Sequence, residues 1–199
     1  MNRVFDAAAA AIGLLVATPL MAVIAIAIRL GSRGPAIYRQ RRVGLAGAEF
    51  DLLKFRTMRP GSDPVGIGTA VEKDDPRVTR VGALLRRTSL DELPNLVNVV
   101  RGEMAIVGPR PTIPAQVELY TEDQRRRLEV KPGLTGWAQV SGHVALPWDE
   151  RIELDVWYVE HRSARLDLRI LGRTVKQVLL GHGLGGEASS RVPREWEKR

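Results

Sequence analysis

The densest run of chemically unusual residues in this chain is Arg86-Arg87-Thr88-Ser89-Leu90-Asp91-Glu92-Leu93-Pro94-Asn95. Adjacent side chains on a helix point about 100° apart, so Asp91 and Glu92 cannot share one task. One carboxylate can attack phosphorus and form an acyl phosphate. The other can help hold a divalent cation that screens the repulsion between carboxylate and phosphate. Helix-terminal N–H groups and the arginines just upstream could bind the same anion. A purely structural account uses the same spacing: Ser89 as N-cap and Glu92 at N3 fit a capping box, and acidic residues suit the positive end of a helix. Pro94 fits that account less well, because it falls at the edge of the first turn, where a backbone donor begins to be needed.

Two more clusters carry candidate chemistry. In Met104-Ala105-Ile106-Val107-Gly108-Pro109-Arg110-Pro111, an arginine sits between two prolines after a short apolar run. The fixed backbone angles of Pro109 and Pro111 hold Arg110 in a narrow range of directions, as recognition of a phosphate or base edge by a planar guanidinium requires. The plainer reading is a rigid surface turn. Lys54-Phe55-Arg56-Thr57-Met58 puts Lys54 and Arg56 on one face of a strand, where they line a phosphate pocket or meet solvent. The chain has no cysteine and three scattered histidines, His143, His161 and His182, which excludes disulfides and cysteine metal sites and argues against zinc. A net charge of +7 favours anionic partners: nucleic acid, lipid headgroups or phosphorylated substrates.

The elements that must position these residues are mainly helical. Glu49 to Phe55 alternates as a strand does, after the turn-prone Gly44 to Gly47. Asp74 to Leu85 reads as a turn at Asp75-Pro76 followed by a short helix. Pro114 to Leu128 reads as one polar helix, ended by Lys131-Pro132-Gly133. From Leu166 to Leu180, Leu168, Leu171, Val175, Val178 and Leu179 recur at helical spacing beside a basic stripe of Arg165, Arg169, Arg173 and Lys176. That helix packs on the core or lies on a membrane surface. Gly61 to Gly68 reads as a loop and Gly181 to Arg199 as a polar tail, and no internal repeat is visible. The fold class is therefore α+β with little strand.

The first element is a different kind of segment. Ala7 to Ile28 is uncharged and apolar, about 22 residues, or roughly 30 Å of straight helix, enough to cross a hydrocarbon core. Thr18-Pro19 interrupts it. Pro19 supplies no N–H, so a kink is expected there, with the Thr18 hydroxyl available to a freed carbonyl. Arg3 precedes the stretch, and Arg29, Arg33, Arg39, Arg41 and Arg42 follow it, so both ends carry the cytoplasmic sign. A secretory signal, a kinked span and a hairpin that re-enters one leaflet are the three readings, the first disfavoured by the length of the apolar run.

Taken together and in order, the broken apolar segment, Lys54-Phe55-Arg56-Thr57-Met58, Ser89-Leu90-Asp91-Glu92-Leu93-Pro94, Gly108-Pro109-Arg110-Pro111 and Lys131-Pro132-Gly133-Leu134-Thr135-Gly136-Trp137 resemble the bacterial sugar transferases, the monotopic polyprenyl-phosphate phosphoglycosyl transferases. The resemblance covers nearly the whole chain. It implies transfer of a sugar 1-phosphate from a UDP-sugar to undecaprenyl phosphate, with release of UMP, as the first membrane step of a glycoconjugate pathway. It implies that Asp91 is the nucleophile of a covalent phosphosugar intermediate and that Glu92 helps bind Mg2+. Arg86 matches the arginine associated with the lipid phosphate, and Pro109, Arg110 and Pro111 match the element associated with the uridine nucleotide. Lys54 and Arg56 match a conserved basic pair.

The same resemblance implies a re-entrant membrane anchor over residues 1–30, holding Arg3, Thr18 and Pro19, a catalytic domain over 31–182 with amphipathic interfacial helices, and a tail over 183–199. It places the enzyme on the cytoplasmic face of the inner membrane, among its lipids and the glycosyltransferases that act next, with no nucleic-acid partner. Thr18 stands for the usual serine, and Ser141-Gly142-His143-Val144 departs from the common Gly-Arg-Asn. Two rivals remain: a membrane-tethered basic module that binds anionic lipid or nucleic acid, and a transferase acting by direct attack without an intermediate.

Overall fold

The computed structural model describes residues 3–62, 75–142 and 146–179. Most of the expected Gly61–Gly68 loop, His143 and Val144, His182 and the polar tail lie outside those residues. Among the described residues the chain is mostly helical with two small two-stranded sheets, in keeping with the α+β reading.

Helix α1 (Arg3–Gly31) runs 29 residues without interruption through Pro19. The Thr18 hydroxyl donates to Leu14 O at 2.7 Å. That is one residue earlier than Leu15, whose carbonyl loses its i+4 donor at proline. Asp6, Ala10, Ile24 and Ile28 are buried along one side of the helix, with Gly13 against Leu96 between them. Val4, Ile12, Leu15, Val16, Val23, Ile26 and Leu30 are exposed on the other sides. A single stripe therefore faces the rest of the protein from one end of α1 to the other. Near its start, Ile106 N approaches Asp6 Oδ1 at 3.5 Å. Arg3, exposed, comes up to Gly102, the left-handed cap at the negative end of helix α3 (Asn95–Arg101).

Strands β1 (Ile37–Val43) and β2 (Glu49–Phe55) form an antiparallel hairpin, in register from Ile37 opposite Phe55 to Val43 opposite Glu49. The alternation read over Glu49–Phe55 is β2 itself. β1 is hidden in the sequence because arginines occupy both of its faces: Arg39 and Arg41 are exposed, and Arg42 is buried. Helix α3 is fastened to β2 by Asn98, which is fully buried. Its Nδ2 donates to Asp51 O at 2.8 Å and to Glu103 Oε2 at 2.7 Å, while Leu53 N donates to its Oδ1 at 3.1 Å. With all its hydrogen-bonding needs met in the interior, Asn98 fixes the strand just before Lys54.

Helix α2 (Arg80–Thr88) begins at Thr79, whose hydroxyl accepts from Gly82 N at 2.9 Å. The short parallel pair β3 (Ala105–Val107) and β4 (Gly133–Thr135) packs backbone on backbone. A Cβ on Gly108 would lie 2.4 Å from Lys131 O, and one on Gly136 would lie 2.1 Å from Gly108 O. Only glycine fits either place. The single helix expected over Pro114 to Leu128 is instead three short pieces: α4 (Pro114–Val117), α5 (Glu122–Arg125) and a 3-10 turn at Arg126–Glu129. The reason is a capping box at Thr121 and Gln124, which restarts the chain in mid-run.

Helices α6 (Trp137–Val140), α7 (Trp148–His161) and α8 (Ala164–Leu179) close the domain around Trp137, Leu154, Tyr158, Leu166 and Ile170. On α8 the inward side is Leu166, Asp167 and Ile170. Of the apolar residues singled out in the sequence, Leu168, Val175, Val178 and Leu179 are exposed, while Leu171 is partly buried against the core.

Candidate active site

The run holding Asp91 and Glu92 does not form the capping box that its spacing allows. Ser89 is the C-cap of α2, in the left-handed region at φ +56°, and its side chain caps no helix. Leu90–Glu92 then makes one 3-10 turn, and α3 begins after Pro94. Two tertiary partners claim the Glu92 carboxylate. Lys54 Nζ donates to Oε1 at 2.8 Å and Arg110 Nη2 to the same oxygen at 2.7 Å. Three sequence motifs thus meet at one atom. Glu92 and Lys54 are largely withdrawn from solvent, and Arg110 is half-buried.

Electrostatics follow from that meeting. Burial pushes the Glu92 carboxyl upward, but Arg110 and Lys54 outweigh it and hold the group well below the usual carboxylate range. Burial lowers Lys54 in spite of its ion pair, with Arg110 adding repulsion. Arg110 is raised by Glu92. Asp91 is half-buried and takes part in neither ion pair. Burial raises its carboxyl and Glu92 adds to this, while Lys54, Arg110 and Arg86 pull it back. The result is two neighbouring carboxylates with opposite characters: Glu92 locked as an ion and Asp91 a stronger base than usual. A nucleophile needs the second character and an electrostatic anchor the first.

The Pro109-Arg110-Pro111 turn is pinned at every carbonyl. Gly133 N donates to Pro109 O at 2.8 Å, Arg127 Nη2 to Arg110 O at 2.9 Å and Arg42 Nη1 to Pro111 O at 3.0 Å. Arg127 is itself buried against Asp155, at 2.5 Å, and the Tyr120 hydroxyl. Arg110 therefore owes its aim to a buried framework as well as to its flanking prolines. Arg86, at the end of α2, donates through Nε to Thr57 Oγ1 at 3.1 Å and lies in the field of Asp91.

Arg56 is placed differently from Lys54. Its guanidinium donates to Arg33 O at 2.7 Å, and to Ser32 O and Ser32 Oγ at 2.9 Å. It closes the C-terminal end of α1, where a cation meets the negative end of the helix dipole. Sequence reasoning also missed two residues that line the same recess as Lys54, Glu92 and Arg110: Arg42 and Asn95. In the sequence Arg42 stands out only as one of the charges flanking the apolar segment. No local signal singles Arg42 out, because arginines stand on both faces of β1.

Among the described residues no three His, Asp or Glu side chains gather as a metal site. A cation bound here would draw on Glu92, whose second carboxylate oxygen makes no ion pair. That limited donor set suits Mg2+, which commonly takes one or two carboxylates and fills its shell with water and substrate phosphate oxygens.

Residues 1–181 match the family model described as bacterial sugar transferase. The chain belongs to the bacterial sugar transferase family. It is 46% identical over 185 residues to the uncharacterized sugar transferase EpsL of Bacillus subtilis, covering 92% of this chain and 90% of that protein. It is 40% identical over 196 residues to the exopolysaccharide production protein ExoY of Rhizobium meliloti, covering 92% and 87%. The UDP-glucose:undecaprenyl-phosphate glucose-1-phosphate transferase of Caulobacter vibrioides is 44% identical over 186 residues, covering 89% of this chain and 69% of that enzyme.

Proposed function

We propose that this bacterial sugar transferase moves a sugar 1-phosphate from a UDP-sugar to undecaprenyl phosphate in two steps. The observation that carries the reading is the pair of carboxylates set in different surroundings, Glu92 held ionised between Lys54 and Arg110 and Asp91 left outside those ion pairs with its pKa raised by burial. An Asp91 carboxylate oxygen attacks the phosphorus that bears the sugar, and the bond from that phosphorus to the bridging oxygen breaks. UMP departs with the bridging oxygen. An oxygen of the lipid phosphate then attacks the aspartyl phosphate, freeing the carboxylate and leaving a lipid diphosphate sugar.

Lys54 and Arg110 stand where diphosphate charge would collect, and Arg86 serves the phosphate of the second substrate. Electrostatic stabilisation of this kind supplies several kcal/mol in comparable reactions, on the order of 3–4 kcal/mol per well-placed donor. Mg2+ would be held by Glu92 and would supply charge neutralisation when bound. The Caulobacter vibrioides relative is named as a UDP-glucose:undecaprenyl-phosphate glucose-1-phosphate transferase, which supports a UDP-hexose donor here. Helix α1 is read as a re-entrant anchor on the cytoplasmic face of the inner membrane, supported by the buried stripe that keeps both of its ends on the same domain.

The test is rapid quenching of the full chain with a UDP-sugar, followed by mass spectrometry of the peptide holding Asp91. The expected result is a gain of one glycosyl phosphate and stoichiometric UMP without any lipid acceptor, provided Mg2+ is present. Asp91→Asn should lose the adduct and fall below about one-thousandth of wild-type turnover. Turnover with no adduct, and UMP release only when both substrates are present, would establish direct attack instead.

A further inference from the structure

Arg42 is 9% exposed and has no carboxylate partner among the described residues. Its Nε and Nη2 donate to Gln40 Oε1 at 3.2 and 2.7 Å, and its Nη1 donates to Pro111 O at 3.0 Å. A guanidinium has five N–H donors, so two of Arg42's are left without an acceptor there. A buried cation matched only by neutral oxygens is expensive to keep, since the penalty of removing it from water is several kcal/mol.

The neighbourhood makes the imbalance larger. Arg42, Lys54 and Arg110 line one recess in which Glu92 is the single anion. Burial and the nearby Arg110 together lower Arg42 to about 10. A second, independent mismatch sits in the same recess: Asn95 is 2% exposed and its Oδ1 finds no hydrogen-bond donor. Buried polar groups are normally satisfied inside the protein, and an unpaired amide oxygen in the recess that also holds a partly satisfied guanidinium marks a place completed by something else.

We propose that Arg42 is a phosphoryl-binding residue of this recess, held by Gln40 and Pro111 so that its unspent N–H groups meet an anionic phosphate or diphosphate. Held at the other end of the Pro109-Arg110-Pro111 turn, Arg42 would gather the ligand's charge from a second element, β1, while Arg110 does so from the turn. This deepens the phosphoryl-transfer reading and rests on it for the identity of the anion. The anion is the diphosphate of the nucleotide sugar or the phosphate of the lipid acceptor, which share this chemistry.

The experiment measures binding to the full chain in detergent micelles, with three probes: inorganic pyrophosphate, UDP and a short-chain polyprenyl phosphate. Arg42→Gln keeps a donor for Pro111 O and removes the charge. Arg42→Lys keeps the charge and loses the planar fork. Unliganded melting temperatures identify the variants that fold. The expected result is pyrophosphate binding weakened about tenfold or more in Arg42→Gln and about threefold or more in Arg42→Lys.

A parallel loss for UDP alone assigns Arg42 to the nucleotide, and for polyprenyl phosphate alone to the lipid. Binding of all three probes within twofold of wild type, by a folded Arg42→Gln or, if that variant does not fold, by Arg42→Lys, overturns the proposal and leaves Arg42 as a tie for Pro111. If no UDP-sugar yields UMP while pyrophosphate binding still depends on Arg42, the transferase reading fails and the anion site stands.

Discussion

Asn95 shows how the site sets function against stability at the scale of one residue. It is the first residue of α3, three positions after Glu92, buried to 2% exposure with an acceptor that nothing in the described protein satisfies. Leaving an amide group unpaired in the interior costs about 1–3 kcal/mol. Leucine has nearly the same shape and no such need. Asn95→Leu should therefore raise stability by about 1 kcal/mol, read as a higher melting temperature of the purified protein. If the amide is kept for a ligand, the same substitution should lower kcat/KM for the UDP-sugar by about tenfold, the usual scale of one lost hydrogen bond. A gain in both quantities would show that the recess is not where substrate polarity is read. Glu92 is the contrasting case, a buried carboxylate whose cost is met in full by Lys54 and Arg110.

The elements matter here through close approaches. A Cβ on Gly82 would fall 2.0 Å from Thr57 O, so α2 can lie on the chain beyond β2 only because residue 82 has no side chain. The same approach brings Arg86 Nε to Thr57 Oγ1. Gly82→Ala must push the helix outward. Urea unfolding followed by tryptophan fluorescence should register a loss of about 1–3 kcal/mol, and the remaining folded enzyme should be less active as Arg86 leaves Asp91. Ala83→Gly on the exposed side of the same helix is the control: it costs about 1 kcal/mol in helix propensity and leaves Arg86 in place. Equal activity losses in the two variants would show that loosening α2, not displacing it, is what matters. At this scale much was legible in the sequence. β2 and α8 show their periods plainly, and Asp75-Pro76 marks the turn before α2. β1 was not legible, because a strand with arginine on both faces has no apolar alternation. The Ser89-Glu92 pair was misleading for a physical reason: a capping box is local, and the stronger claims on Glu92 come from Lys54 and Arg110, distant in sequence. Likewise nothing in Lys54-Phe55-Arg56 shows that Arg56 closes α1 while Lys54 faces the site.

At the scale of the molecule, the question is how a chain with net charge +7 and a long apolar helix sits at a membrane. Helix α1 is long and apolar enough to cross a bilayer. Its contacts argue for another disposition. Asp6 and Ala10 meet the domain at Ile106, Phe50 and Met104, and Ile24 and Ile28 meet it at Phe55 and Leu85. At the usual helical rise, Asp6 and Ile28 lie about 33 Å apart along a straight helix, the thickness of the hydrocarbon core. A perpendicular span that kept these contacts would draw the arginine-rich domain through the bilayer, at about 2.5–3.5 kcal/mol or more for each charged residue. An anchor that dips into one leaflet and keeps both ends at the surface avoids that cost. It also leaves the exposed Leu168, Val175 and Leu179 of α8, beside Arg169 and Lys176, free to rest at the same headgroup level. The chain has no cysteine, so single replacements report without background. Arg3→Cys and Arg33→Cys should both resist a membrane-impermeant maleimide in intact cells and both react in inside-out vesicles. Reaction of one in cells and the other only in vesicles would make α1 a span, and the domain contacts at one of its ends would then have to open in the membrane.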